Sequence, residues 1–277
     1  MSMFRSLLMA NAKQYDPIET VVAVEITADT LEFSAKLINA WTPFIFSWGD
    51  GTETEYPASG SVTSYAVSHA YSTPGAYTIR AYQTKQTELA TPIFQRSLAV
   101  VEVQQLGNKL YSGAQMFHAC RNLRRMNGKL GVVQNSNLWQ MFAYCGANVS
   151  GGTVFNDAFT PTVSGLLEMF YGARIANLPT KFKIVPDTTS FKSLVNAATV
   201  YSGDISNIFP EEWATRTGSI NCANAFKGQS RLTGTAPAHL LWEAPNITWS
   251  DTTGCFSGCT GLSNYHEIPA SWGGGGA

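Results

Sequence analysis

Met116-Phe117-His118-Ala119-Cys120 returns as Met141-Phe142-Ala143-Tyr144-Cys145, as Met169-Phe170-Tyr171-Gly172-Ala173, as Ala225-Phe226-Lys227-Gly228-Gln229 and as Cys255-Phe256-Ser257-Gly258-Cys259. A weaker copy sits at Ser193-Leu194, with Ala197 three residues on. Taking Phe117, Phe142, Phe170, Leu194, Phe226 and Phe256 as anchors, the spacings are 25, 28, 24, 32 and 30 residues. Recurrence in that range marks a solenoid, in which no unit can bury its apolar face alone and stacking makes one continuous core.

A second slot follows the first. Leu123, Leu232 and Leu262 fall at one fixed offset after Phe117, Phe226 and Phe256. Further on, Pro179, Pro210 and Pro269 each precede a large residue, Phe182, Trp213 and Trp272. Proline suits the first turn of a helix, where its missing N–H has no partner to lose. Each repeat is therefore predicted to hold a short strand, a turn and a short helical or 3-10 segment.

The alignment also sorts the cysteines. Cys120, Cys145 and Cys259 share one slot, and Cys255 takes the place that Met holds elsewhere. Inward positions of a solenoid use a thiol as a small apolar group. Cys255, Cys259 and His266 lack the fourth ligand of a structural zinc site. Five cysteines, an odd number, argue against a full disulfide framework. No metal and no cofactor is expected.

The unit M-F-x-x-C-x-x-L, seen most fully at Cys255-Phe256-Ser257-Gly258-Cys259-Thr260-Gly261-Leu262, resembles the leucine-rich repeats of the bacterial surface antigen type. The resemblance spans about residues 110–272 and implies a contact surface.

Upstream the pattern changes. Val21–Ile26, Leu31–Leu37, Phe44–Trp48, Tyr77–Tyr82 and Ser97–Val103 are short runs rich in β-branched and aromatic residues, with turn-formers between them. Gly49-Asp50-Gly51 reads as a tight turn, with glycines for positive φ and an aspartate able to bond its own backbone. Pro74-Gly75 reads as a second turn, flanked by Tyr71 and Tyr77.

Trp48-Gly49-Asp50-Gly51 followed by His69, Tyr71, Pro74, Gly75 and Tyr77 resembles the PKD (polycystic kidney disease) domain, although one residue is missing between Trp48 and Gly49. That resemblance implies an immunoglobulin-like β-sandwich used for spacing or contact. His69 then becomes a hydrogen-bonded structural residue. Asp50, Glu53 and Glu55 supply too few oxygens for calcium, which takes six or more.

The expected fold is mainly β: an N-terminal arm over 1–16, a PKD-like sandwich over 17–105 and an irregular leucine-rich-type solenoid over 106–277. The tail Ser271-Trp272-Gly273-Gly274-Gly275-Gly276-Ala277 carries no polar cap. The end of the solenoid is therefore expected to expose apolar surface for a neighbouring subunit.

Charged residues make up only 13% of the chain, while hydrophobic residues reach 44%, enough for a packed core. A net charge of −1 supplies no field for nucleic acid. The local cluster Arg121, Arg124, Arg125 and Lys129 reads as a solvated face. No run approaches the roughly 18 apolar residues of a membrane span, and the first residues are too weakly apolar for a signal peptide. No phosphate loop, nucleophile elbow or H-E-x-x-H motif occurs, and Glu211-Glu212 suits a helix start.

The function expected is non-enzymatic: a bacteriophage virion component, such as a tail, collar or head-decoration protein, displaying adhesion-type modules. Its partners would be other virion or surface proteins, within a homo-oligomer or larger assembly, with a host glycan as a further ligand. No nucleic acid or membrane insertion is expected. A bacterial surface adhesin and an accessory module of a secreted hydrolase are the alternatives. Trp242 and Trp249 are the candidates for stacking on sugar, set against the plainer role of core packing.

Overall fold

The computed structural model describes residues 19–38, 43–57, 64–83, 90–107, 109–130, 132–133, 137–157, 159, 165–179, 181–185 and 187–276. The arm expected over 1–16 lies outside them. The chain is mainly β and includes a β-solenoid of about four turns.

Eight strands come first: β1 (Thr20–Ile26), β2 (Glu32–Ile38), β3 (Phe44–Ser47), β4 (Glu53–Tyr56), β5 (Ser64–Ala70), β6 (Gly75–Gln83), β7 (Thr91–Ile93) and β8 (Val100–Gln105). Strict alternation in β2 buries Phe33, Ala35 and Leu37 and leaves Glu32, Ser34 and Lys36 in water, as a half-buried strand requires. Strands β5, β2 and β7 form one antiparallel sheet. Strands β4, β3, β6, β1 and β8 form a second, also antiparallel. Phe33 of β2 meets Trp48, just past β3, edge-on at 6.2 Å, so the two sheets share a core.

Ten further strands of two to five residues follow: β9 (Lys109–Leu110), β10 (Arg125–Met126), β11 (Val132–Val133), β12 (Thr153–Phe155), β13 (Arg174–Asn177), β14 (Thr199–Val200), β15 (Gly203–Asp204), β16 (Gly218–Asn221), β17 (Leu232–Thr233) and β18 (Ile247–Asp251). All their pairings are parallel. Strand β10 lies directly beside β8, and β12, β13 and β14 stack on from there. One nine-stranded sheet thus runs from the N-terminal strands into the solenoid without a seam.

Inside, the rings of Phe94, Phe117, Phe142 and Phe170 stack in near-parallel steps of 5.7, 5.5 and 5.8 Å. Phe226 and Phe256 stack at 5.3 Å further along. Each is fully buried, a burial that contributes roughly 1.5–3 kcal/mol per ring. Phe94 precedes the first repeat seen in the sequence, so the ladder begins a rung early.

The segment carrying each ring is a run of overlapping turns. In the Phe117 turn, Met116 N donates to Gly113 O, His118 N to Gln115 O and Cys120 N to Phe117 O. Residues two before and two after the ring hold left-handed φ: Gln115 and Ala119 around Phe117, Gln140 and Tyr144 around Phe142, Glu168 and Gly172 around Phe170. Alternate amides then bond across to the next turn, as Phe117 N does to Met141 O at 2.9 Å.

This backbone corrects the fourth repeat, the copy at Leu194. Left-handed φ falls on Ser193 and Ala197, and Phe170 N bonds Leu194 O, so Val195 stands opposite Phe170 and Phe226. Leu194 is buried in the slot of Met116, Met141 and Met169 rather than in that of the rings. Leucine resembles phenylalanine more than valine does, and side-chain likeness misplaced the copy by one residue.

A further slot, five residues before the ladder position, starts five of the runs with a side-chain-to-backbone bond, the Phe170 run having Gly165 there. Ala114 N bonds Ser112 Oγ, Trp139 N bonds Asn137 Oδ1, Lys192 N bonds Ser190 Oγ, Ala223 N bonds Asn221 Oδ1 and Thr253 N bonds Asp251 Oδ1. Such short polar side chains are suited to turn starts for this reason.

Leu123, Leu232 and Leu262 are buried, as are Phe182, Trp213 and Trp272. Pro210, Pro237 and Pro269 precede 3-10 turns at Glu211–Thr215, Ala238–Leu240 and Ala270–Trp272. The prolines stand one place earlier than expected, at the cap, where their extended ψ turns the chain into the helix.

The uncapped end expected from the tail is not found. Trp272 lays its ring on Phe256 at 6.3 Å, and its carbonyl accepts the Phe256 N–H where a further turn would. Gly273 to Gly276 bond back to Ala270, Pro269, Tyr265 and Ile268. A Cβ on Gly274 would overlap the Ile268 carbonyl, so glycine is what lets this cap close.

Candidate contact surface

The motif residues of the N-terminal strands meet one another. Asp50 Oδ1 accepts from the Thr52 amide at 3.0 Å and hydroxyl at 2.7 Å, and His69 Nε2 lies 2.7 Å from Oδ2. The His69 ring lies flat on Trp48 at 4.8 Å and meets Tyr71 edge-on. Tyr71 donates to the Trp48 carbonyl at 2.9 Å and stacks on Tyr77. Tyr77, half-buried, closes the Pro74-Gly75 turn by donating to Thr73 O. Gly49 has φ of 86°, and a Cβ there would lie 2.6 Å from Thr78 O, whereas at Gly51 it would meet open space.

Partial burial works to raise the Asp50 carboxyl, but the Thr52 bonds and His69 outweigh it and hold the group at about 2. Burial pushes the Tyr71 hydroxyl well above the usual tyrosine range. Both Asp50 oxygens are engaged, and no group of three or more His, Cys, Asp or Glu side chains among the described residues could hold a metal.

All five cysteines are buried with free thiols. Cys120 and Cys259 each donate to the carbonyl of the preceding ring residue, Phe94 and Phe226, at 3.1 and 3.0 Å. Burial lifts Cys145 and Cys259 to about 12 and pushes Cys120 and Cys255 well above the usual thiol range. In the same slot Gln229 bonds the Val195 and Ala198 carbonyls and the Val200 amide.

Trp242 and Trp249 belong to one aromatic cluster. Trp249 stacks on Trp213 at 6.2 Å, meets Trp272 edge-on and donates to the Leu241 carbonyl. Trp242 is half-buried against Trp272. Both are partly buried and packed against the core.

Among the described residues, the surface includes two side-chain columns and two grooves. Gln95, Gln115, Gln140 and Glu168 pass hydrogen bonds from turn to turn at 3.2, 2.9 and 2.7 Å, each amide donating to the next oxygen. Asn127, Asn156 and Asn177 line the nine-stranded sheet in a similar way, bonding Glu102, Asn127 O and Phe155 O.

The basic cluster is divided. Arg124 forms a two-pronged pair with Glu25 at 2.6 and 2.9 Å, in a groove of about 470 Å³ shared with Arg125, Glu102 and Val154. Arg121 faces a second groove, of about 460 Å³, lined by Arg96, Leu98, His118, Ala119, Arg121 and Tyr144. Burial and then the Arg96 guanidinium hold His118 below the usual histidine range. Leu31, Leu98, Trp139, Tyr144 and Val154 are the large exposed apolar side chains among the described residues, and Leu98 and Tyr144 line this second groove. None of them stood out in the sequence reading. The signal for Tyr144 was a bulky residue where other repeats place glycine or alanine.

Comparison with protein-family models, with curated proteins and with solved structures found no match. No helix among the described residues is long and apolar enough to cross a membrane.

Proposed function

We propose that the chain is a non-enzymatic contact protein, a stiff rod that spaces and presents binding surfaces on a bacteriophage particle. The observation that carries this reading is the seamless sheet from β4 through β1 and β8 to β14. A sheet shared by both halves, backed by a continuous ring stack, transmits force and resists bending where a flexible linker would not.

On this reading the N-terminal strands are a PKD-like, immunoglobulin-like sandwich, and the coils are degenerate leucine-rich-type repeats. The Trp48–Asp50–His69–Tyr71 cluster supports the first assignment, because its polar groups satisfy one another and serve the fold. The recurring Phe and Cys slots support the second. The partners are neighbouring virion proteins and a host-surface glycan.

Antibody labelling of intact particles and intact cells of the source tests the proposal. Label on particles is the expected result. Label confined to the cell envelope favours the adhesin, and a soluble pool with turnover of a substrate overturns both.

A further inference from the structure

In the slot two residues after each ladder position the backbone is left-handed: φ is 62° at Arg96, 57° at Ala119, 58° at Tyr144, 63° at Gly172, 56° at Ala197, 80° at Gly228 and 76° at Gly258. That region costs a residue with a Cβ roughly 1–2 kcal/mol. Gly172, Gly228 and Gly258 escape that cost, Ala119 and Ala197 carry it with only a methyl group, and Arg96 and Tyr144 carry it with long side chains. Those two long side chains line the same groove. Gln115, Gln140 and Glu168 hold left-handed φ too, in the slot before the ring, so it is the shared groove and not φ alone that sets Arg96 and Tyr144 apart.

The two stand on alternate rungs. Arg96 N donates to His118 O and Ala119 N to Ala143 O, which places Ala119 between Arg96 and Tyr144 in the column. Neighbouring rungs of a ladder are about 4.8 Å apart, so the two backbones are separated by about 10 Å across the Ala119 methyl. The width suits one six-membered ring.

The walls define the chemistry. No carboxylate lines the groove, and among the described residues neither Arg96 nor Arg121 joins an ion pair. Tyr144 is held edge-on by His118 and Tyr171, with its ring over the bare Cα of Gly172, and stays 40% exposed. Leu98 is 56% exposed at the rim. His118 Nδ1 is buried without a hydrogen-bond partner.

We propose that this groove binds a carboxylate-bearing sugar unit of an acidic polysaccharide, a ligand class that rests on the contact reading above. Guanidinium forks from Arg96 and Arg121 match a carboxylate. Tyr144 and Leu98 offer apolar walls to the C–H face of a pyranose. Two cations on a chain of net charge −1 make too short a track for a nucleic-acid backbone, whose affinity comes from many phosphate contacts.

The test is calorimetric titration of the full chain with oligogalacturonate, hyaluronan oligosaccharide and sialyllactose. Neutral galactose oligomers and inorganic phosphate serve as competitors. At least one acidic probe should bind, weakening with salt, with the neutral oligomers at least tenfold weaker and phosphate failing to compete. Arg96→Gly should weaken binding at least tenfold while holding or raising Tm, because glycine relieves the backbone. Arg121→Gln, at an exposed site, should weaken binding with Tm unchanged.

Absence of binding by all three acidic probes overturns the groove assignment and leaves the contact reading standing. Equal competition by phosphate reduces the site to a simple anion trap and also overturns it. So does an Arg96→Gly protein with lowered Tm and unchanged affinity. Cleavage of a bound probe would overturn the contact reading and not the groove.

Discussion

Phe94 and Phe117 stack at 5.7 Å with their planes 9° apart, although the sequence puts one before the repeats and the other inside them. Phe94 N bonds Met116 O at 2.8 Å, and the Cys120 thiol bonds Phe94 O at 3.1 Å. The segment after β7 is therefore the template on which the first turn is laid. Truncating Phe117 should cost the whole molecule, not one repeat. Phe117→Ala is expected to lose about 3–5 kcal/mol, the range for an emptied Phe site, measured by urea denaturation.

The glycine cap makes a sharper steric demand. Gly274→Ala puts a methyl into the Ile268 carbonyl, and overpacking of this kind costs about 1–3 kcal/mol. Gly51→Ala, at φ of 92° but with open space around it, should cost only about 1 kcal/mol. Thermal melts of the two variants should separate them. Equal losses would mean the tail does not close the coil as described.

Asp50 titrates in the folded state at about 2 against an ordinary 3.8. A depressed carboxyl contributes stability that is present above the unfolded value and is lost as pH falls through the folded one. The N-terminal strands should therefore weaken between about pH 4 and 2. Asp50→Ala, which also removes the Thr52 turn bonds, should cost about 1–3 kcal/mol at pH 7 and flatten that acid limb. Denaturation series of both proteins across pH 2–7 check it.

The thiols should be silent in the native protein. Cys145 and Cys259 are buried and pushed up to about 12, so almost no thiolate exists at pH 7–8. Reaction with a disulfide reagent is expected to proceed only through opening, with all five cysteines labelled in urea. Fast labelling of any one in buffer would place that residue outside the core.

The ring and cysteine slots were readable because the same side chains recur in them. The turn geometry was hidden, since its left-handed positions hold Gln115, Gln140, Glu168, Ser193 and Asn224, where only glycine would advertise positive φ. Val195 escaped for the same reason: its slot is defined by backbone bonds, not by size. Strand β7 carries Pro92, tolerated because the strand is at an edge, and β4 alternates charge with half-burial, so neither reads as a strand alone. Arg96 and Tyr144 became a pair only when the coil brought alternate turns together.

The N-terminal strands and the first coils form a single packed unit. Native-state hydrogen exchange, followed by NMR, reads that unity residue by residue. The amides of Val22 in β1, Phe94, Phe117, Arg124 and Phe142 are predicted to share one opening free energy that falls together with denaturant. Two separate plateaus, with Val22 on one and Phe117, Arg124 and Phe142 on the other, would contradict it.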